Sequence, residues 1–132
     1  MDLKDLTPKS DDIVVNIVHP ISKEPLVNDD GSPMTITLYA QYSKEYKKVQ
    51  RELINKRLKE AQAAGNTDID YEQLEAAALE LMAKTTKAWD ITFDGKKPKL
   101  TEAKARQIYD EVFWIKAQIE EAVADSLDFM KA

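Results

Sequence analysis

The chain contains no cysteine and only one histidine among its 132 residues. Without thiols, a disulfide framework, thiolate zinc sites and thiol catalysis are all excluded. The lone His19 stands directly before Pro20, and no serine stands in a GxSxG pattern for it to activate. A turn role is therefore expected for it rather than that of a general base. No apolar run approaches the roughly 20 residues needed to cross a bilayer. The opening MDLKDLTPKSDD lacks the apolar centre of a secretory signal. A soluble, cytoplasmic protein is the expectation.

The motifs that cradle phosphates or bind catalytic zinc, GxGxxG, GxxxxGK[ST] and HExxH, do not occur. Asn28, Asp29 and Asp30, and separately Asp68, Asp70 and Glu72, could offer oxygens to a hard cation. Neither set has the spaced ligands and distal glutamate of a calcium loop, and turn and capping roles account for both. No cofactor, no metal and no enzymatic activity are expected.

What the chain does have is charge and helix-forming residues. Charged residues make up 33% and hydrophobic residues 43%, with a net charge of −5. Glycine and proline are scarce, at 3 and 5 copies, while alanine, leucine, glutamate and lysine favour helix. A chain of this length buries roughly 65–70% of its unfolded surface, enough for one core. The negative balance argues against nonspecific nucleic-acid binding. The charge is uneven, however: Lys44, Lys47, Lys48, Arg51, Lys56, Arg57 and Lys59 face only Glu45, Glu52 and Glu60 over residues 44–60. These cations are expected to be spread over a solvated face and paired at i,i+4, or to form a surface for an acidic partner helix.

Residues 1–12 read as a flexible arm and 13–132 as one α-rich domain. Ile13, Val14, Val15, Ile17 and Val18 form a β-branched run that stops at His19-Pro20. Met34 to Tyr39 alternates with a period of two, and the Asn28–Pro33 stretch between them is dense in turn residues. A β-hairpin over 13–39 follows, which must lean on helices or another subunit because two strands alone are marginal. Three helical stretches come after it, at about 43–64, 70–88 and 101–130. Ser43, Asp70 with Gln73, and Thr101 cap their starts, and Gly65-Asn66 ends the first.

Their inward stripes are Tyr46, Val49, Leu53, Leu58 and Ala61, then Leu74, Ala77, Ala78, Leu81, Met82, Thr85 and Trp89. The third stripe runs from Ala105, Ile108, Tyr109 and Val112 through Ile115, Ile119, Ala122 or Val123 to Leu127 and Met130. One long last helix and two helices broken near Asp110–Phe113 are both permitted. The fold class is mainly α with a small N-terminal β-hairpin, an α+β chain of three to four helices around one core.

The segment from Trp89 to Phe129 gathers Trp89, Tyr109, Phe113, Trp114 and Phe129. Aromatic side chains dominate cores and interfaces. Neighbouring Phe113 and Trp114 lie about 100° apart on a helix and cannot face one way, so one of them must meet a different surface. Trp89, Phe113, Trp114 and Phe129, with Lys47, Lys48 and Arg51, are the candidate partner-binding residues.

A helix ending in Trp89-Asp90, a turn of small and basic residues, Leu100-Thr101-Glu102-Ala103 opening an Ile108-Tyr109 helix, and the closing QIEEAVADSLDF resemble the tail assembly chaperones of long-tailed, lambdoid-type bacteriophages. The resemblance implies a non-enzymatic protein of the infected bacterial cytoplasm. It would bind the tape measure protein while the tail tube polymerises, and be absent from the mature virion. It further implies a longer form made by ribosomal frameshifting that recruits the major tail tube protein, and leaves room for self-association. Two other readings stay open. One is a structural head–tail connector or tail component forming a ring. The other is a small regulator that binds nucleic acid through the basic helix 44–60.

Overall fold

The computed structural model describes residues 2–3, 11–65 and 70–125. Most of the expected N-terminal arm, Asn66, Asp68, Leu127, Phe129 and Met130 lie outside the described residues. Strand β1 (Asp12–Asn16) and strand β2 (Thr35–Tyr39) pair antiparallel, with Ile13 opposite Leu38 and Val15 opposite Ile36. The alternation of β2 sends Ile36 and Leu38 into the core and Thr35, Thr37 and Tyr39 to the other face. Helices α1 (Lys44–Ala64) and α2 (Tyr71–Lys84) follow, then strand β3 (Thr86–Asp90), then helices α3 (Glu102–Glu111) and α4 (Phe113–Ala124). The fold is α+β: among the described residues, four helices with a three-stranded antiparallel sheet in the order β1-β2-β3.

The third strand corrects the helix expected over 70–88. The helix ends at Lys84, and Trp89, expected at the tail of its apolar stripe, lies instead in β3 opposite Ile36. The cause is local. Thr85 Oγ1 donates to the Leu81 carbonyl at 2.7 Å, and Thr86 Oγ1 donates to the Met82 carbonyl at 2.9 Å. Hydroxyls that bond back to the preceding turn satisfy its last carbonyls without further helix, and β-branched residues then suit extended backbone. Lys87 is the extra residue of a β-bulge, since Ala88 pairs with Thr37 and Thr86 with Leu38. The bulge lets Thr86 and Trp89, three residues apart, both turn toward the core.

The long loop of the hairpin folds back on itself. Ile17 N–H donates to Met34 O, Leu26 N–H to Ile17 O, and Met34 N–H to Leu26 O, closing three chain segments together. The capping expectations hold: Ser43, Asp70 and Thr101 each accept a first-turn N–H, and Gln73 completes a capping box. Gly65 closes α1 at φ 65°, a left-handed conformation that costs a residue without Cβ little. Of the two arrangements open for the last segment, the chain adopts the broken one. Val112 leaves helical geometry, and α4 crosses β1.

The core lies between the sheet and the last two helices. Val15, Ile17, Ile36 and Leu38 meet Ala105, Ile108 and Tyr109 of α3, Ile115 and Ile119 of α4, and Ala83 and Ile91. On α4, Gln118 donates to the Val18 carbonyl at 2.8 Å and accepts its N–H at 3.1 Å, so a side-chain amide takes the place of a neighbouring strand.

Candidate partner-binding surfaces

The three aromatic candidates among the described residues, Trp89, Phe113 and Trp114, do not converge on one surface. Trp89 is a structural residue. Its Nε1 donates to the Pro98 carbonyl at 2.9 Å, and its ring meets Tyr109 edge-on at 6.4 Å. It thereby ties the connection after β3 to the core. The Tyr109 hydroxyl lies 2.7 Å from Thr86 Oγ1, whose own proton goes to Met82 O, so the phenol is the donor. Burial pushes that phenol up to about 12.

Phe113 and Trp114 separate as helical geometry requires. Trp114 is half-buried against the core, while Phe113 is 76% exposed at the first turn of α4. Trp114 lines an apolar cleft of about 200 Å³ with Leu26, Met34, Phe93 and Val112, beneath the folded hairpin loop. Phe129 lies outside the described residues.

The rim beside this cleft is held by polar contacts. Asn28, only 3% exposed, donates through Nδ2 to the Ser32 and Asp90 carbonyls and accepts from Thr92 Oγ1 at 2.6 Å. Lys97 bridges Asp30 at 2.8 Å and Asp90 at 3.0 Å. The Lys97 ammonium, with Ser32 as a second donor, holds the Asp30 carboxyl well below the usual carboxylate range. His19 has the turn role expected of it, with Nδ1 accepting the N–H groups of Ile21 and Ser22.

The basic candidates lie on a helix unlike the one expected. α1 is 21 residues long, about 30 Å at 1.5 Å per residue, yet none of its residues is buried. Its inward stripe is only half-covered, through Tyr46, Val49, Leu53 and Ala61 together with Arg57. Leu58, expected on that stripe, is 57% exposed, and Leu74 and Ala78 of α2 are likewise exposed rather than packed. For Leu58 the reason is phase, since it stands about 140° round the helix from Leu53. α1 packs against α2, whereas α3 packs against α2 and is occupied there. Glu80 joins the layers, bonding Lys56 of α1 at 3.4 Å and Arg106 of α3 at 2.6 Å.

The two helices, an α1–α2 arm, leave Ile54, Leu58, Tyr71 and Leu74 exposed. These four residues were absent from the sequence candidates. The signal for Ile54 was its position off the Tyr46–Val49–Leu53 stripe, on one row with Lys47, Arg51 and Leu58. Nor does the expected i,i+4 pairing within α1 form: among the described residues its one ion pair is Lys56 with Glu80. Lys44, Lys47, Lys48 and Arg51 instead recur at i, i+3, i+4 and i+7, which gathers them on one outward face.

The structure thus brings Lys47, Lys48 and Arg51 together on the arm and leaves Trp114 and Phe113 on the body. Comparison of the chain with protein-family models, with curated proteins and with solved structures finds no match.

Proposed function

We propose that the protein is a phage tail assembly chaperone: a non-catalytic protein that holds the tape measure protein in the bacterial cytoplasm while the tail tube polymerises. In this reading it presents its client to the major tail tube protein and leaves before the virion matures. One observation carries the reading. A 21-residue helix with no buried residue packs against α2, and this α1–α2 arm leaves Ile54, Leu58, Tyr71 and Leu74 exposed. Large apolar side chains left uncovered on ordered helices suit an interaction surface. A helical face carrying them suits another helix as its occupant. The resemblance over Leu100–Phe129 supports the same reading from the opposite end of the chain, while Trp89-Asp90, expected to end a helix, lies in β3.

The test is co-expression with the tape measure protein of the same genome. The client should remain soluble and co-purify only when this chain is present, and the chain should be missing from finished particles. A client that stays insoluble beside abundant chain, or a chain recovered as a stoichiometric ring in particles, overturns the proposal. The second outcome would turn the assignment to a connector.

A further inference from the structure

We infer that the outward face of α1 is a docking platform for an acidic amphipathic helix of a partner protein. The inference rests on the arm being a protein-binding surface, and it adds the chemistry of what binds there. The half-buried positions Tyr46, Val49, Leu53, Arg57 and Ala61 fix which side of α1 faces the body. At 100° per residue, Lys44, Lys47, Lys48, Arg51 and Lys59 all fall within an arc of about 120° on the opposite side. Each is exposed, and none makes an ion pair among the described residues. Glu45, Glu52 and Glu60 lie outside that arc, on the flank of Lys56, and so leave the cationic face uninterrupted.

Apolar side chains adjoin the same face. Lys47, Arg51, Ile54 and Leu58 are spaced i, i+4, i+7 and i+11, a single row along the helix, with both aliphatic side chains more than half exposed. This combination selects among anionic partners. A phosphate backbone would engage the cations and leave Ile54 and Leu58 in water. A membrane surface is met by a broader apolar face with aromatic residues, and two aliphatic side chains on the flank of a packed hairpin do not provide one. A partner helix answers both halves: an apolar seam covers Ile54 and Leu58, and flanking carboxylates meet Lys47, Lys48 and Arg51. Such pairing of charges sets register and orientation while the seam supplies affinity.

Four probes are titrated against the full chain by fluorescence anisotropy. The first is a synthetic peptide matching α1 in length, with leucine at heptad positions a and d and glutamate at e and g. The others are the same peptide with lysine at e and g, a short DNA duplex, and anionic phosphatidylserine vesicles. The glutamate peptide should bind more tightly as salt is lowered. Lys47→Glu with Arg51→Glu should weaken it about tenfold or more, and Ile54→Ser with Leu58→Ser should do so independently. Val14→Ser, an exposed apolar change on the sheet, should leave binding unchanged.

Equal binding of the lysine peptide, binding of DNA or vesicles in its place, or indifference to both double variants would overturn the inference. So would a change in self-association of the charge-reversed chain by sedimentation, which would make a second copy the occupant. The two proposals separate cleanly. A client held equally well by wild type and by the Lys47→Glu, Arg51→Glu chain refutes the docking face and leaves the chaperone reading intact. Peptide binding without client solubility does the reverse.

Discussion

Ile119→Ala and Leu58→Ala each remove an aliphatic side chain from a helix, but the structure assigns them very different costs. Ile119 is 1% exposed in the core cluster, and truncating a buried isoleucine to alanine costs about 2–5 kcal/mol through lost transfer energy and residual cavity. Leu58 is 57% exposed, so less than half of the roughly 1.5–3 kcal/mol of a fully buried leucine is at stake. Alanine is also the better helix former, which recovers a few tenths. The expected cost at Leu58 is about 1 kcal/mol or less. Total stability for a chain of this length is on the order of 7–20 kcal/mol, so the core variant should be visibly weakened and the arm variant scarcely changed. Urea unfolding of both variants, read at constant m, measures the difference. Equal destabilisation would refute the reasoning, because it would mean that the outer row of α1 is covered in solution.

Tyr109→Phe removes a buried donor but leaves Thr86 Oγ1 bonded to Met82, and should cost about 0.5–1.5 kcal/mol in the same assay. Because the folded phenol is raised to about 12, its contribution is complete below the unfolded value of about 10 and declines as pH rises through the folded one. Wild type should therefore lose more stability than Tyr109→Phe across that alkaline window. Asp30 shifts the other way. Its folded carboxyl is depressed by Lys97, so its contribution is present above the unfolded value of about 3.9 and fades as pH falls toward the folded one. Asp30→Asn should flatten the acid limb of stability against pH; an unchanged limb would show the bridge to be inert. Gln118→Ala leaves the Val18 N–H and C=O without their partner and should cost about 1–2 kcal/mol, with faster hydrogen exchange at Val18. The exposed Gln107→Ala should stay within about 0.5 kcal/mol of wild type.

Local signals in the chain were legible where one residue decides one hydrogen bond. Ser43, Asp70 with Gln73, Thr101 and Gly65 marked helix ends, and the alternation of Met34–Tyr39 marked the central strand. The stripe Ala105–Ile108–Tyr109 through Ile115 and Ile119 became the core. Strand β3 was hidden because Thr86–Asp90 continues the spacing of the α2 stripe. The back-bonding hydroxyls of Thr85 and Thr86 and the free edge of β2, a partner far along the chain, together make extended backbone the better choice there. Leu58 misled for a different reason: five residues past Leu53, it stands about 140° round the helix from it, on the outward row with Lys47, Arg51 and Ile54. The cationic face failed in the reverse direction. Composition showed glutamates among the lysines, while phase around the helix, fixed by which positions pack, separates them. Asn28, in a stretch that read only as a turn, proved to be the buried staple between the hairpin loop and the end of β3.

Amide hydrogen exchange along residues 44–64, measured on the free chain and on its purified complex with the tape measure protein, tests the central claim most directly. A helix with no buried residue should exchange readily in the free protein, more readily than α3, whose Ala105, Ile108 and Tyr109 are enclosed. Docking of a client helix on the arm predicts strong slowing over α1 and the first turns of α2 in the complex. Unchanged exchange there, with protection appearing instead around Phe113 and the Trp114 cleft, would contradict it and move the client to the body of the protein.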